Sequence, residues 1–184
     1  KISYSELKLI ITIFCLIILI KFMIIHVNNK STLKIDDFNF KCCVGKNGLN
    51  PNKKEGDYST PIGLFKLNKL YFRRDRVGIP SCKIKKKNIT KNIAWCDDPE
   101  NKNYNEEIHV SNNKSKESFH RKDNKYDYLI TISHNNKKIP YKGSAIFIHL
   151  TNNYKPTAGC IALRKKDFEI MLKLINQKTL IKIG

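Results

Sequence analysis

The stretch "GSAIFIHLTNNYKPTAGCIAL", residues 143–163, holds two short apolar segments joined by a polar turn. Aliphatic side chains alternate with His149 in the first segment, 144–150, and with Cys160 in the second, 160–163. Alternate residues of a strand point to opposite faces, so aliphatic faces turned into the core leave the imidazole and the thiol together on the other face. A register shift of one residue reverses this arrangement.

A thiol next to an imidazole can carry out acyl transfer. With an unperturbed pKa of about 8.5, a thiol is only a few per cent thiolate at neutral pH. A neighbouring histidine takes the thiol proton and later returns a proton to a leaving amine. Gly159, directly before Cys160, would let backbone N–H groups approach a developing oxyanion. On the residues alone, a buried core cysteine with an unrelated histidine is the competing and more common interpretation.

The rest of the chain predicts a mainly-β domain with one late helix. Four segments are short, rich in β-branched or aromatic residues and bounded by turn residues, and they are predicted strands: 63–72, 128–134, 144–150 and 179–184. In 165–177, four apolar side chains recur at helical spacing: Phe168, Met171, Leu172 and Ile175. The polar segments 95–107 and 111–125 are predicted as long loops, of the kind that often form lids or binding surfaces.

The N-terminal part is strongly apolar over residues 7–27, "LKLIITIFCLIILIKFMIIHV". This length is close to that of a bilayer-spanning helix. We therefore predict a transmembrane signal-anchor at 7–27, a polar linker at 28–36 and a catalytic domain at 37–184. A cleaved signal peptide is the main alternative, but no small-x-small cleavage pattern follows. A buried helix of the core is a further alternative.

The net charge of +19 is carried mostly by lysine, since only five of the 35 basic residues are arginine. Nucleic-acid proteins usually use more arginine, so no nucleic-acid partner is expected. An anionic cell-wall or membrane surface is equally compatible with the charge. The chain has no CxxC pair and no carboxylate–histidine cluster at ligand spacing, so no metal site is predicted. Cys82 and Cys96 could pair, although nothing in the sequence requires it.

Two segments of the opening stretch, "GSAIFIHL" and "PTAGCIAL", resemble the catalytic segment of the L,D-transpeptidases (YkuD-like). In that family a histidine precedes a Ser/Thr-x-Gly-Cys signature. Residues 45–65, "GKNGLNPNKKEGDYSTPIGLF", resemble the glycine-rich entry to the same domain. Further blocks resemble one bacterial branch of the family: "RRDRVGIP", "WCDDPENKNYN" and "KYDYLITISHN". The resemblance extends over roughly residues 40 to 184.

This resemblance implies a mainly-β, sandwich-like fold and an acyl transfer on peptidoglycan stem peptides. Cys160 would be the nucleophile and His149 the general base, with Gly159 and Thr157 at the oxyanion and substrate site. The thiolate would attack the carbonyl before a terminal D-alanine, and an amine of another stem would resolve the thioester. No metal and no organic cofactor is implied. With the predicted anchor, the catalytic domain would be extracytoplasmic, on the periplasmic or cell-wall side.

Two positions depart from the common family pattern. Ala158 replaces a histidine often found before the Gly-Cys pair, and Ala162 replaces an arginine or asparagine. Arg164 is a possible substitute, because strand alternation would keep it on the same face as Ala162. An L,D-carboxypeptidase with the same Cys–His pair and a non-catalytic wall-binding module therefore stay open as alternatives.

Overall fold

The structure is a computed structural model that describes Lys8 and residues 23–28, 31–109 and 116–184. This part of the chain contains fourteen strands and two helices. The strands are β1 Ile24–Val27, β2 Thr32–Ile35, β3 Phe38–Cys43, β4 Leu49–Asn50, β5 Thr60–Pro61, β6 Gly63–Phe72, β7 Lys86–Asn88, β8 Ile93–Trp95, β9 Glu107–His109, β10 Glu117–Ser118, β11 Tyr128–Ile132, β12 Phe147–Leu150, β13 Ile161–Leu163 and β14 Leu180–Ile183. The helices are α1 Arg74–Val77 and α2 Lys165–Leu174. The prediction of a mainly-β domain with one late helix is confirmed.

Nine of these strands form one sheet in the order β11-β12-β13-β3-β2-β1-β14-β6-β7, and β11 also pairs with β6. The sheet therefore closes on itself, with β7 attached outside β6. Two strands, β6 and β3, change partner along their length. The first half of β6 pairs with β14 and its second half with β11, while β3 pairs with β2 and then with β13.

The main core lies inside the closed sheet and consists of aliphatic side chains that alternate along each strand. Ile148 of β12 and Ile161 of β13 lie opposite each other and are fully buried in it. Every residue of β11, β12 and β13 is buried, so the outer face of these strands is covered as well. The predicted alternation in the opening stretch is therefore confirmed for its aliphatic residues.

Helix α2 packs against the same core through Phe168, Met171 and Leu172. The ring of Phe168 stacks on Tyr128 of β11, with 5.5 Å between centroids. Burying side chains of this size stabilises the fold by about 1.5–3 kcal/mol each. The predicted helical spacing thus marks a genuine core-facing stripe.

The segments predicted as long polar loops are mostly loop where the structure describes them, and a few of their residues belong to a small second layer. β8, β9 and β10 form a small antiparallel sheet in the order β10-β8-β9. Trp95 and Phe119, from two parts of this layer, pack on Phe147 of β12 with centroid distances of 5.4 and 5.5 Å. The short strands at these places were not predicted, because they are only two or three residues long and their few apolar residues stand among polar ones. Their stability depends on backbone pairing and aromatic contacts, which the sequence pattern does not show.

The N-terminal boundaries also differ from the prediction. Residues 24–27, predicted as the end of the anchor, form β1, which pairs with β14 and β2. Residues 32–35, predicted as linker, form β2, so the folded domain begins before residue 37. Ile25 and Val27 are buried while His26 is exposed, which is the alternation of a strand. This alternation was not recognised in the sequence because it lies at the end of a long apolar segment.

The remainder of the predicted anchor, apart from Lys8 and Met23, lies outside the described residues. Among the residues that are described, no helix has both the length and the apolar character needed to cross a bilayer. The anchor at the preceding positions stays a prediction.

Candidate active site

His149 and Cys160 are placed by two neighbouring parallel strands. His149 of β12 lies opposite Ala162 of β13, and Cys160 directly precedes β13. Cys160 packs with Phe147 on the outer side of these strands, away from the main core. Both His149 and Cys160 line one cavity of about 660 Å³. The two residues singled out in the sequence are therefore brought to the same face and the same cavity.

The Cys160 thiol is held in a dry environment. Its sulfur donates a hydrogen bond to the carbonyl of Ala145 at 3.2 Å and accepts one from the backbone N–H of Phe147 at 3.4 Å. Burial raises the pKa of the Cys160 thiol to about 12. The sulfur is therefore protonated at neutral pH and needs a base before it can attack.

The ring of His149 is oriented by its backbone contact. Nδ1 lies 2.9 Å from the carbonyl oxygen of Leu150. A carbonyl can only accept, so Nδ1 carries the proton and the neutral ring keeps its lone pair on Nε2. Tyr126 packs edge-on against the imidazole, with 5.3 Å between ring centroids. Burial lowers the pKa of His149 to about 4, which leaves the ring unprotonated at neutral pH.

Cys160 lies two residues before Ala162, the β13 residue that is opposite His149 on β12. The Cys160 thiol donates its hydrogen bond to Ala145 rather than to His149. Proton transfer to Nε2 therefore requires the sulfur to turn toward the ring, as catalytic contacts often tighten only when substrate is bound.

The loop that carries the nucleophile is braced by Thr157. Its hydroxyl donates to the carbonyl of Cys160 at 2.6 Å and accepts the N–H of Gly159 at 3.1 Å. The Gly159 amide, expected from the resemblance to face an oxyanion, is thus engaged by Thr157. Thr157 lines the cavity, and its bonds set the backbone direction on both sides of Gly159.

A second threonine, Thr60, is hydrogen-bonded to the same loop. Thr60, fully buried in β5, donates from Oγ1 to the carbonyl of Gly159 and accepts the N–H of Gly45, both at 2.8 Å. Gly159 has φ +148°, and a Cβ there would lie 2.8 Å from the carbonyl oxygen of Ser59. Only glycine fits this position without displacing the strand beneath it.

Arg164 is not brought into the cavity. It is the N-cap residue of α2, where the strand alternation ends, and its guanidinium lies over the ring of Tyr154 at 4.9 Å. The part of the chain that the structure describes places other cations around the cavity instead: Lys53, Arg121, Lys125 and Lys155. The substitute role expected for Arg164 therefore has no support from its position.

Several cavity residues had no signal in the sequence. Tyr126 contacts His149 and lies beneath the guanidinium of Arg121, 5.1 Å from the ring centroid. Arg121 is fixed by Glu117 at 3.2 Å and Asp123 at 2.8 Å. Glu117, Arg121 and Asp123 come from a segment that was predicted as a long loop, and Tyr126 from the block "KYDYLITISHN", but neither pattern identified these residues individually.

Lys53 is the least expected member of the cavity wall. Its side chain is only 5% exposed and forms an ion pair with Asp57. Burial would raise the pKa of the Asp57 carboxyl, but hydrogen bonds from Lys53 and Ser59 outweigh it and hold that pKa well below its usual range. A lysine within a run of charged residues is usually a solvated surface group, so its burial was not predicted.

The other cysteines that the structure describes, and His134, lie apart from the catalytic pair. Cys42, Cys43, Cys82 and Cys96 are unpaired thiols, so Cys82 and Cys96 do not form a disulfide. The ring of His134 is hydrogen-bonded to the carbonyl of Lys142 at 3.0 Å. Over the described residues, no group of three or more histidine, cysteine or carboxylate side chains is arranged to hold a metal ion.

Comparison with known proteins assigns the family. The family model for the YkuD, or L,D-transpeptidase catalytic, domain matches residues 22–183. The chain belongs to this family, as its His149 and "PTAGC" segments indicated. The match begins just before β1, in agreement with the domain boundary seen in the structure. A search of curated proteins found no significant match.

Solved structures similar to the chain include three bacterial proteins at 12–13% identity, each covering 88% of the chain. They are Bd1075 of Bdellovibrio bacteriovorus, an L,D-transpeptidase from Mycobacterium smegmatis, and L,D-transpeptidase 3 from Mycobacterium tuberculosis with a faropenem-derived adduct. The TM-scores are 0.46, 0.40 and 0.44, and the chain spans 47%, 58% and 60% of their respective lengths. The family assignment depends on the family model and not on these likenesses.

Proposed function

We propose that the protein is a peptidoglycan L,D-transpeptidase that works through a thioester on Cys160, with His149 as the general base. One observation carries the proposal: in a chain of this family, His149 and Cys160 lie on one face of two paired strands and line one cavity. Because stem peptides of peptidoglycan lie outside the cytoplasmic membrane, we also propose that the domain acts there.

The first half of the reaction forms the thioester. Nε2 of His149 removes the proton from the Cys160 sulfur, and the thiolate attacks the peptide carbonyl before the terminal D-alanine. The negative charge on the carbonyl oxygen is stabilised by backbone N–H donors near Cys160. The imidazolium then gives its proton to the departing nitrogen, and D-alanine leaves as a free amino acid.

The second half transfers the acyl group. A side-chain amine of another stem attacks the thioester carbonyl, and His149 accepts a proton from this nitrogen. The carbon–sulfur bond breaks and the proton returns to sulfur, which restores the thiol and leaves an amide cross-link. In the resting molecule the base is unprotonated and the thiol keeps its proton, so this route requires proton transfer from sulfur to Nε2 to accompany substrate binding.

The test is to incubate the full-length protein with disaccharide tetrapeptides and to identify the products by mass spectrometry. We expect cross-linked dimers together with free D-alanine. Cys160→Ala and His149→Ala should each abolish both products, whereas Cys82→Ala, which changes a half-buried thiol outside the cavity, should keep them. Trimmed monomers alone would instead identify a hydrolase with water as the acceptor. Full activity of Cys160→Ala would refute the mechanism.

A further inference from the structure

Lys53 keeps a hydrogen-bond donor that the fold does not use. Its ammonium donates to the carbonyl of Lys54 at 2.7 Å and to the carboxylate of Asp57. An ammonium has three N–H donors, so one of them has no acceptor among the described residues. A buried ammonium that is only partly satisfied is costly, which makes an additional anionic partner favourable at this position.

The carboxylate of Asp57 does not neutralise Lys53 exclusively. The same two oxygens accept the N–H groups of Lys54 and Ser59, both at 2.9 Å, and the hydroxyl of Ser59 at 2.6 Å. The charge of Asp57 is thus shared among several donors that fix the loop. The loop 53–59 therefore holds the Lys53 ammonium in place but leaves one of its N–H donors without an acceptor among the described residues.

The Lys53 side chain runs alongside the nucleophile loop. A Cβ at Gly143 would lie 2.9 Å from Cγ of Lys53, and a Cβ at Gly159 would lie 3.7 Å from its Cε. Gly143 therefore leaves the space that the lysine stem occupies, and the stem is in ordinary contact range of Gly159. Burial raises the pKa of the Cys160 thiol, and the positive charge of Lys53 acts in the opposite direction, so the ammonium lies within electrostatic range of the sulfur.

We propose that the ammonium of Lys53 forms a carboxylate subsite beside Cys160, and that this subsite binds the free terminal carboxylate of the donor stem peptide. The identity of the ligand rests on the proposed function, whereas the existence of a carboxylate subsite does not depend on that function. The terminal carboxylate belongs to the residue that leaves, so it must lie close to the sulfur when the preceding carbonyl is attacked. Binding it would align this carbonyl with Cys160.

The subsite can be tested by alkylation of Cys160 in the full-length protein with two reagents of similar shape. Iodoacetate carries a carboxylate and iodoacetamide carries a neutral amide. The ratio of their rates at Cys160, measured by mass spectrometry of the peptide that contains it, should fall about tenfold in Lys53→Met, since a charge-assisted hydrogen bond is lost. Any change in thiol acidity affects both reagents and cancels in the ratio.

Two further variants control this experiment. Lys53→Arg keeps the cation and should retain most of the wild-type ratio. Lys155→Met removes an exposed cation from the cavity mouth and should change the ratio less than about twofold, because exposed charges are screened. An unchanged ratio in Lys53→Met, or an equal fall in Lys155→Met, would overturn the proposal.

Amidated donor peptides show whether the subsite binds the terminal carboxylate or a side-chain carboxylate. Amidation of the terminal carboxyl of the donor peptide should raise KM about tenfold in the wild type and have no further effect in Lys53→Met. If amidation of a side-chain carboxyl shows this dependence on Lys53 instead, the terminal assignment is wrong. If the wild type processes no peptide, the proposed function fails, while the alkylation ratio still decides whether the carboxylate subsite exists.

Discussion

Replacing Thr60 by valine should remove the support under the nucleophile loop without changing the shape of the side chain. Thr60 is fully buried, and its hydroxyl joins the N–H of Gly45 to the carbonyl of Gly159. Valine fills the same space but leaves both buried backbone groups without a partner. Each such group costs about 1–3 kcal/mol, so we expect the free energy of unfolding to fall by about 2–4 kcal/mol after local relaxation.

The assay is urea unfolding followed by the fluorescence of Trp95, the single tryptophan. This side chain packs on Phe119 and Phe147 and therefore reports the layer that covers the cavity. With a urea slope of about 2 kcal/mol per M, the midpoint should fall by about 1–2 M at constant slope. The product yield in the muropeptide assay should fall with it, because Gly159 precedes the nucleophile.

Thr60→Ser is the matched control, because it keeps the hydroxyl and removes only the methyl group. Its midpoint should stay closer to the wild type than to Thr60→Val. If valine leaves the midpoint unchanged, the two hydrogen bonds do not support the loop. If serine and valine are equally destabilising, methyl packing rather than the hydroxyl is responsible, and the reasoning is refuted.

Three further predictions concern pH, backbone conformation and the domain boundary. The pKa of His149 is lowered from 6.5 to about 4 in the folded protein, so on acidification the unfolded chain takes up this proton first. As the pH falls from 8 to 5, His149 should therefore lower the free energy of unfolding by about 2 kcal/mol. The His149→Gln variant should lose this part of the pH dependence in urea titrations. Gly159→Ala should destabilise by more than about 2 kcal/mol in the same assay, since the added Cβ meets a carbonyl oxygen at 2.8 Å. A chain that starts at residue 37 should lack a cooperative unfolding transition, whereas one that starts at residue 22 should retain it, because the shorter chain lacks β1 and β2.

The prediction for Gly159→Ala has a matched control in a second glycine with positive φ. Gly78→Ala, at φ +67° with nothing within 4 Å of the added Cβ, should cost only about 1–2 kcal/mol. Equal effects at Gly78 and Gly159 would show that close packing is unimportant in the nucleophile loop. An acid dependence that His149→Gln leaves unaltered, or a cooperative transition in the chain from residue 37, would contradict the corresponding prediction.

The parts of the fold that the sequence predicted are those with one clear pattern. Strand alternation in 144–150 separates His149 from the aliphatic residues, and helical spacing identifies the buried face of α2. The placement of Cys160 on the same side as His149 followed from the same alternation. Such patterns can be read locally because each side chain's face depends only on its neighbours in the chain.

The parts that were missed depend on contacts between distant segments. β1 follows an apolar run, and hydrophobicity alone does not distinguish a strand from the end of a helix. Lys53 is buried because the Asp57 carboxylate accepts a hydrogen bond from its ammonium and Gly143 makes room for its stem, a combination that no local pattern encodes. The contact of Tyr126 with His149 likewise joins segments separated along the chain.

The pairing of β1 with β14 has a consequence for the order of folding. The sheet is closed by contacts between residues near 25 and residues near 181, and the N–H of Gly184 is bonded to the carbonyl of Val27. One of the two partners of β1 therefore comes from the far end of the sequence. A chain that emerges N-terminus first cannot complete its sheet until β14 is released, so closure is expected to be a slow, late event that follows synthesis rather than accompanying it.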